Sequence, residues 1–141
     1  MKARFTAGGM IKQINEAFEK NANNSLRDKG LTMSQFRVLL LLNFNPEGLL
    51  TLKEIEKALM CAQSTVHGLV GRLEEKNLVA ACGDPADKRI RIIGITEKGR
   101  GYCKEARLHM KKVEGEILSP LNDEEKKQFM TYLSKIVNGI E

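Results

Sequence analysis

No apolar run in the 141-residue chain exceeds five residues, the length reached at Val38–Leu42, whereas a helix needs ~20 to span a bilayer. The sequence therefore predicts no membrane-spanning helix. Lys2 and Arg4 stand near the start, but Gly8, Gly9 and Lys12 interrupt the apolar stretch that a signal peptide requires, so the chain reads as cytoplasmic. Cysteine is scarce: three residues, an odd number, with no C-x-x-C pair, which argues against a disulfide framework and a zinc ribbon. A glycine-rich phosphate loop, G-x-S-x-G and H-E-x-x-H are all missing, and Ser, His and acidic residues form no catalytic constellation. Neither an enzyme nor a cofactor is predicted. No repeat, low-complexity tract or linker breaks the chain, which points to one domain over residues 1–141.

What is present is a globular composition, 42% hydrophobic and 29% charged. Lys and Arg number 23 against 18 Asp and Glu, a formal charge of +5. Taken as a sum, that excess is weak, because many basic proteins never meet a nucleic acid. Its position is more informative. Lys88, Arg89, Arg91, Lys98, Arg100, Lys104 and Arg107 crowd residues 88–107 against only Glu97 and Glu105, while residues 101–141 hold seven charges of each sign.

Apolar spacing predicts six helices. Ile11, Ile14, Phe18, Ala22 and Leu26 mark the first, over about 10–27, which Gly30 ends. Thr32 with Gln35 resembles a capping box opening a second, centrally buried helix through Phe36, Leu39, Leu40 and Leu42. Asn45-Pro46-Glu47-Gly48 breaks it. Thr51 with Glu54 starts a short third helix, and after a turn at Met60–Ala62 a fourth runs from about Gln63 to Lys76. Two short helices joined by a tight turn suggest a helix-turn-helix. Leu78–Cys82 and Arg89–Ile95 then read as two strands around a Gly-Asp-Pro loop, a hairpin placed as a wing. Thr96 caps a long fifth helix carrying Cys103, Ala106, Met110, Val113 and Ile117; Asn122 with Glu125 opens a sixth with Phe129, Leu133, Ile136 and Ile140. The predicted fold is mainly α (α+β): a winged helix-turn-helix over about 32–96, with helical regions at about 1–30 and 97–141. Those outer helices are more than one small winged helix needs for cover, so their stripes are expected to meet a second copy of the chain.

The candidate functional residues sit on the fourth helix and the hairpin. With Val66, Leu69, Val70 and Leu73 inside, Ser64, Gly68, Gly71 and Glu75 lie near the exposed centre, and Thr65, His67 and Arg72 towards its edges. Amide and hydroxyl groups at a helix start, here Gln63, Ser64 and Thr65, suit phosphate oxygens and base edges. Plain capping with a solvated face explains them equally well. The basic cluster of Lys88, Arg89 and Arg91 is not explained by turn chemistry and suits a ribbon inserted into a minor groove. Asp84 and Asp87 beside it make sense if one of them fixes an arginine in a fork geometry.

Asp84-Pro85-Ala86-Asp87-Lys88-Arg89, followed by Thr96-Glu97-Lys98-Gly99, resembles the wing signature of MarR-type transcriptional regulators. Ser64-Thr65-Val66 and Arg72-Leu73-Glu74-Glu75-Lys76-Asn77-Leu78-Val79 resemble that family's recognition helix and its exit, so the likeness runs along nearly the whole chain. The resemblance implies a homodimer built from the first, fifth and sixth helices. Its two recognition helices would enter successive major grooves of double-stranded DNA at a pseudo-palindromic operator, with the wings in flanking minor grooves. It implies Arg89 as the wing-tip arginine, Asp87 as the carboxylate orienting it, and Ser64, Thr65 and His67 facing bases or phosphates. Arg72 would touch phosphate or support the wing. It further implies repression, relieved by a small aromatic or anionic effector; Phe18, Phe36, Phe44 and Tyr102 are candidates for lining such a pocket, or ordinary core residues.

The chain departs from the family pattern at Met60, Ala62, Gly68 and Gly71. Met60 replaces a frequent turn glycine, and Ala62 leaves the recognition helix without its usual side-chain cap. Each glycine costs roughly 1 kcal/mol of helix propensity relative to Ala, which is explained either by close approach of backbone to DNA or by relaxed base readout. Two other functions stay open: a winged-helix protein-interaction module without DNA binding, and a thiol- or metal-responsive regulator. Cys61 and Cys103 read as small buried hydrophobes and Cys82 as exposed on the wing strand, with His67 on the DNA face and His109 on a solvated helix surface.

Overall fold

The computed structural model describes residues 6–140; Lys2 and Arg4 lie outside the described residues. Helices α1 (Ala7–Asp28) and α2 (Met33–Phe44) are followed by strand β1 (Leu49–Thr51) and helices α3 (Leu52–Leu59) and α4 (Gln63–Glu75). Strands β2 (Val79–Gly83) and β3 (Arg91–Ile95) precede helices α5 (Glu97–Ile117) and α6 (Asp123–Ile140).

The helix starts follow local chemistry. Thr32 Oγ1 accepts from the Gln35 amide at 3.2 Å, and Gln35 Oε1 accepts from the Thr32 amide at 3.3 Å. Thr51 and Glu54 repeat the reciprocal pair at 3.0 and 3.1 Å, and Asn122 and Glu125 at 2.9 and 2.8 Å. Each cap satisfies amides that would otherwise lack partners, contributing about 1 kcal/mol. Thr96 does double duty: its hydroxyl donates to the Asn77 carbonyl at 2.7 Å and accepts from the Gly99 amide at 3.1 Å. Glycine is required at position 99, where a Cβ would collide with the Leu78 carbonyl.

Two compact units divide the chain: Ala22–His109, and residues 6–21 with 110–140. The core of the first contains Val38, Leu39 and Leu42 from α2, Ile55 from α3, Val66, Val70 and Leu73 from α4, Ile93 from β3 and Cys103 from α5. Within this unit Lys29 ion-pairs with Glu105 and sits 4.9 Å over the Tyr102 ring, tying the end of α1 to α5. In the second unit Val113 is buried, but α6 has no fully buried side chain, Phe129 and Leu133 being half-buried. Met10 and Ile11 on α1, and Met130, Tyr132, Ile136 and Val137 on α6, are all exposed.

The sheet has three antiparallel strands, ordered β1-β3-β2, rather than the two expected. Leu50 pairs with Ile93, and the β2–β3 ladder runs from Val79↔Ile95 to Gly83↔Arg91. Leu49–Thr51 is too short to carry an alternating pattern. It becomes a strand because Gly48, at φ 69, turns the chain onto the open edge of β3. The hairpin strands are also shifted from Leu78–Cys82 and Arg89–Ile95. Arg89 belongs to the turn, where its amide donates to Asp87 Oδ1 at 3.0 Å instead of joining the ladder.

Candidate nucleic-acid interface

The inward face of α4 is secured by Val66, Val70 and Leu73, which turns Gln63, Ser64, Thr65, His67 and Arg72 to solvent. Met60 holds the α3–α4 turn in the left-handed conformation at φ 54, and its side chain is 92% exposed. Ala62 makes no side-chain cap, so the first amides of α4 face outward beside the Ser64 and Thr65 hydroxyls. An oxyanion is well received there, because the helix dipole adds to unsatisfied donors. Gly68 and Gly71 follow on the outer face, and a Cβ built at either meets nothing within 4 Å. Among the described residues no contact demands glycine at these positions.

The wing tip is built by two aspartates with different tasks. Asp84 shapes the turn: its Oδ1 accepts from the Ala86 amide at 2.8 Å, and its own amide donates to the Ile90 carbonyl at 2.9 Å. Asp87 holds the arginine. Its two oxygens accept from Arg89 Nε and Nη2, both at 3.2 Å, and Oδ1 also takes the Arg89 amide. The guanidinium and that amide together hold the Asp87 carboxyl below its ordinary value of 3.8. Arg89 is thus fixed in direction while its side chain stays 90% exposed. Lys88 stands exposed beside it.

Arg91 lies apart from the tip, at the foot of β3, where its Nη2 is 3.4 Å from Glu74 Oε1 in the last turn of α4. Arg72, by contrast, forms no ion pair with the wing among the described residues. An open groove of about 630 Å³ runs between the starts of α3 and α4 and the hairpin. Gln63, His67, Asp87, Arg89 and Arg91 line it, together with Thr51, Leu52, Lys53, Glu56 and Ile90, none of which the sequence marks as a candidate contact. Lys53 is an exposed cation two positions past the Thr51 cap; only the arrangement of the hairpin brings it to the same groove.

Of the aromatic candidates for a pocket, Phe36 is a core residue, Tyr102 lies under Lys29, and Phe44 is 74% exposed. Cys61 is half-buried against the core, Cys82 is exposed, and burial pushes the Cys103 thiol up despite the pull of Arg107 and Arg100. His109 is half-buried rather than solvated. Among the described residues no three His, Cys, Asp or Glu side chains are grouped to hold a metal ion, and no helix is long and apolar enough to cross a membrane.

A buried α2, a helix-turn-helix with an exposed second helix, and a basic hairpin directly after it define a winged helix-turn-helix of the kind found in transcriptional regulators. The HTH-type transcriptional regulator YwoH of Bacillus subtilis is 34% identical over 123 residues, covering 85% of this chain and 88% of that protein. A family model for the MarR family matches residues 29–90. The chain belongs to the MarR family. The transcriptional repressor MdtR of Bacillus subtilis is 29% identical over 117 residues, covering 83% of this chain and 74% of its own. Among solved structures, MepR, a transcription regulator of the Staphylococcus aureus multidrug efflux pump MepA, superimposes with a TM-score of 0.85 at 26% identity, covering 97% of this chain and 100% of that one. MarR of E. coli shares the fold, with a TM-score of 0.80 at 22% identity over 94% of this chain and 96% of its own.

Proposed function

We propose that the protein is a homodimeric, sequence-specific binder of double-stranded DNA that represses transcription in the cytoplasm. The observation that carries this reading is the Asp87-held guanidinium of Arg89, projecting from the hairpin beside the exposed start of α4. A pure interaction module has little use for a cation fixed in a fork and left bare to solvent. In this reading Gln63, Ser64, Thr65 and His67 meet base edges and phosphates, Arg72 and Lys88 meet phosphate, and Arg89 enters a minor groove. The apolar side chains left exposed on α6 support a second copy of the chain as their cover. Two α4 helices would then read half-sites about one helical turn apart. The slight excess of cations lining the groove, Lys53, Arg89 and Arg91 against Glu56 and Asp87, supports a small anionic effector that competes with DNA there.

Fluorescence anisotropy with duplex from the gene's own upstream region, across a salt series, tests the reading. The expected result is tight binding with a steeply negative salt slope, weakened and made shallower by Arg89→Ala. No binding at low salt, or binding indifferent to Arg89→Ala, overturns it and leaves the protein-interaction module.

A further inference from the structure

Arg91 was grouped with the wing's DNA-facing cations by its charge, but its place in the sheet is different. It opens β3, opposite Gly83, where the β2–β3 ladder ends and the projecting loop begins. Strand alternation puts Arg91 on the same face as Ile93, which is fully buried. Its side chain therefore turns back towards the body of the domain and reaches Glu74. Among the described residues, the hydrogen bonds of the loop beyond this neck are its own: Asp84 to Ile90 and Ala86, Asp87 to Asp84, Ile90 to Asp87, and the bonds of Arg89 to Asp87. Gly83 adds no prop, since a Cβ there would find nothing within 4 Å.

We propose that the Glu74–Arg91 pair is a positioning device, setting the angle between recognition helix and wing so that α4 and Arg89 fit one duplex. It rests on the DNA-binding reading above. Arg91 acts through the wing and does not itself neutralise a phosphate. The width of the groove between the α4 start and Arg89 depends on a hinge at the Gly83–Arg91 neck, and Glu74 is the group on α4 that holds it.

The test measures operator affinity and its salt slope for the full chain and for Glu74→Gln, Arg91→Met, Arg89→Met and the swapped pair Glu74→Arg with Arg91→Glu. Thermal midpoints of all variants confirm folding. Positioning predicts that Glu74→Gln and Arg91→Met each weaken binding by about threefold to fivefold, with the wild-type salt slope kept. The swapped pair restores affinity to within about twofold of wild type. Arg89→Met, by contrast, flattens the slope by about one unit per subunit. A flattened slope in Arg91→Met, or tighter binding in Glu74→Gln, identifies Arg91 as a phosphate contact restrained by Glu74 and overturns the proposal. If the wild-type chain shows no salt-dependent binding, the DNA-binding reading itself fails, and this proposal with it.

Discussion

Replacing both Gly68 and Gly71 by alanine should stabilise the protein and weaken its grip on DNA. Both residues lie inside the 13-residue helix α4, well clear of its ends. Glycine in a helix interior costs about 0.5–1 kcal/mol relative to alanine, because its backbone loses more freedom on folding. A cost of that kind is tolerable where a side chain would clash, yet the space above both residues is open to 4 Å. The double variant should therefore gain about 1–2 kcal/mol, close to the sum of the two propensities. For a chain of this size that raises the thermal midpoint by about 3–8 °C, measured by circular dichroism on the unliganded protein. The same variant places two methyl groups on the outer face of α4, which on the proposed reading meets the duplex. If the glycines let the α4 backbone approach DNA closely, operator affinity falls by about tenfold or more, as one or two lost contacts would produce. A lower midpoint would refute the reasoning, since it would mean that packing within the protein requires glycine. A higher midpoint with unchanged affinity would assign the glycines to relaxed base readout instead.

The Asp87 carboxyl is held below its ordinary value of 3.8 by Arg89, so the fork is intact above that value and is lost only as pH falls through the lowered one. Asp87→Asn should mimic the acid form at neutral pH: the Arg89 Nε–H NMR resonance should move relative to the wild-type chain and operator affinity should drop, while the thermal midpoint stays put. Met60→Gly relieves a left-handed residue whose side chain is 92% exposed and should add about 0.5–1 kcal/mol, read from denaturant midpoints. Ile136→Glu, on the uncovered face of α6, should shift the sedimentation profile from dimer to monomer; an unchanged profile would sink the dimer reading. A thiol reagent should label Cys82 first and Cys103 only on unfolding, as exposure and the raised Cys103 pKa dictate.

The parts of this fold that were readable in advance are those whose physics is local. Thr32–Gln35, Thr51–Glu54 and Asn122–Glu125 declare helix starts within four residues, because each cap closes its own hydrogen bonds. Asn77, at φ 60, ends α4 by a backbone preference that it carries alone. The Asp87–Arg89 fork spans two residues of separation, so a turn-former next to a guanidinium was enough to suggest it. β1 lay out of reach for the opposite reason: three residues became a strand only because the edge of β3 was there to receive them.

Arg91 is the instructive case, because the information was present but masked by a stronger signal. Its charge placed it with Lys88 and Arg89 in one basic cluster. Its register, two residues before the buried Ile93, puts it on the face of β3 that meets the body of the domain, within reach of Glu74. Composition counts charges and cannot tell a cation offered to a partner molecule from one already engaged at home. Arg89 and Arg91 are two residues apart, so alternation alone does not separate them; Arg91 is held in the ladder opposite Gly83, whereas Arg89 has left it for the turn, where Asp87 fixes it. A regulator that reads DNA with a helix and a ribbon at once needs both kinds. On the proposed reading Arg89 makes the contact, and Arg91, through Glu74, holds the two reading elements at the spacing a duplex imposes.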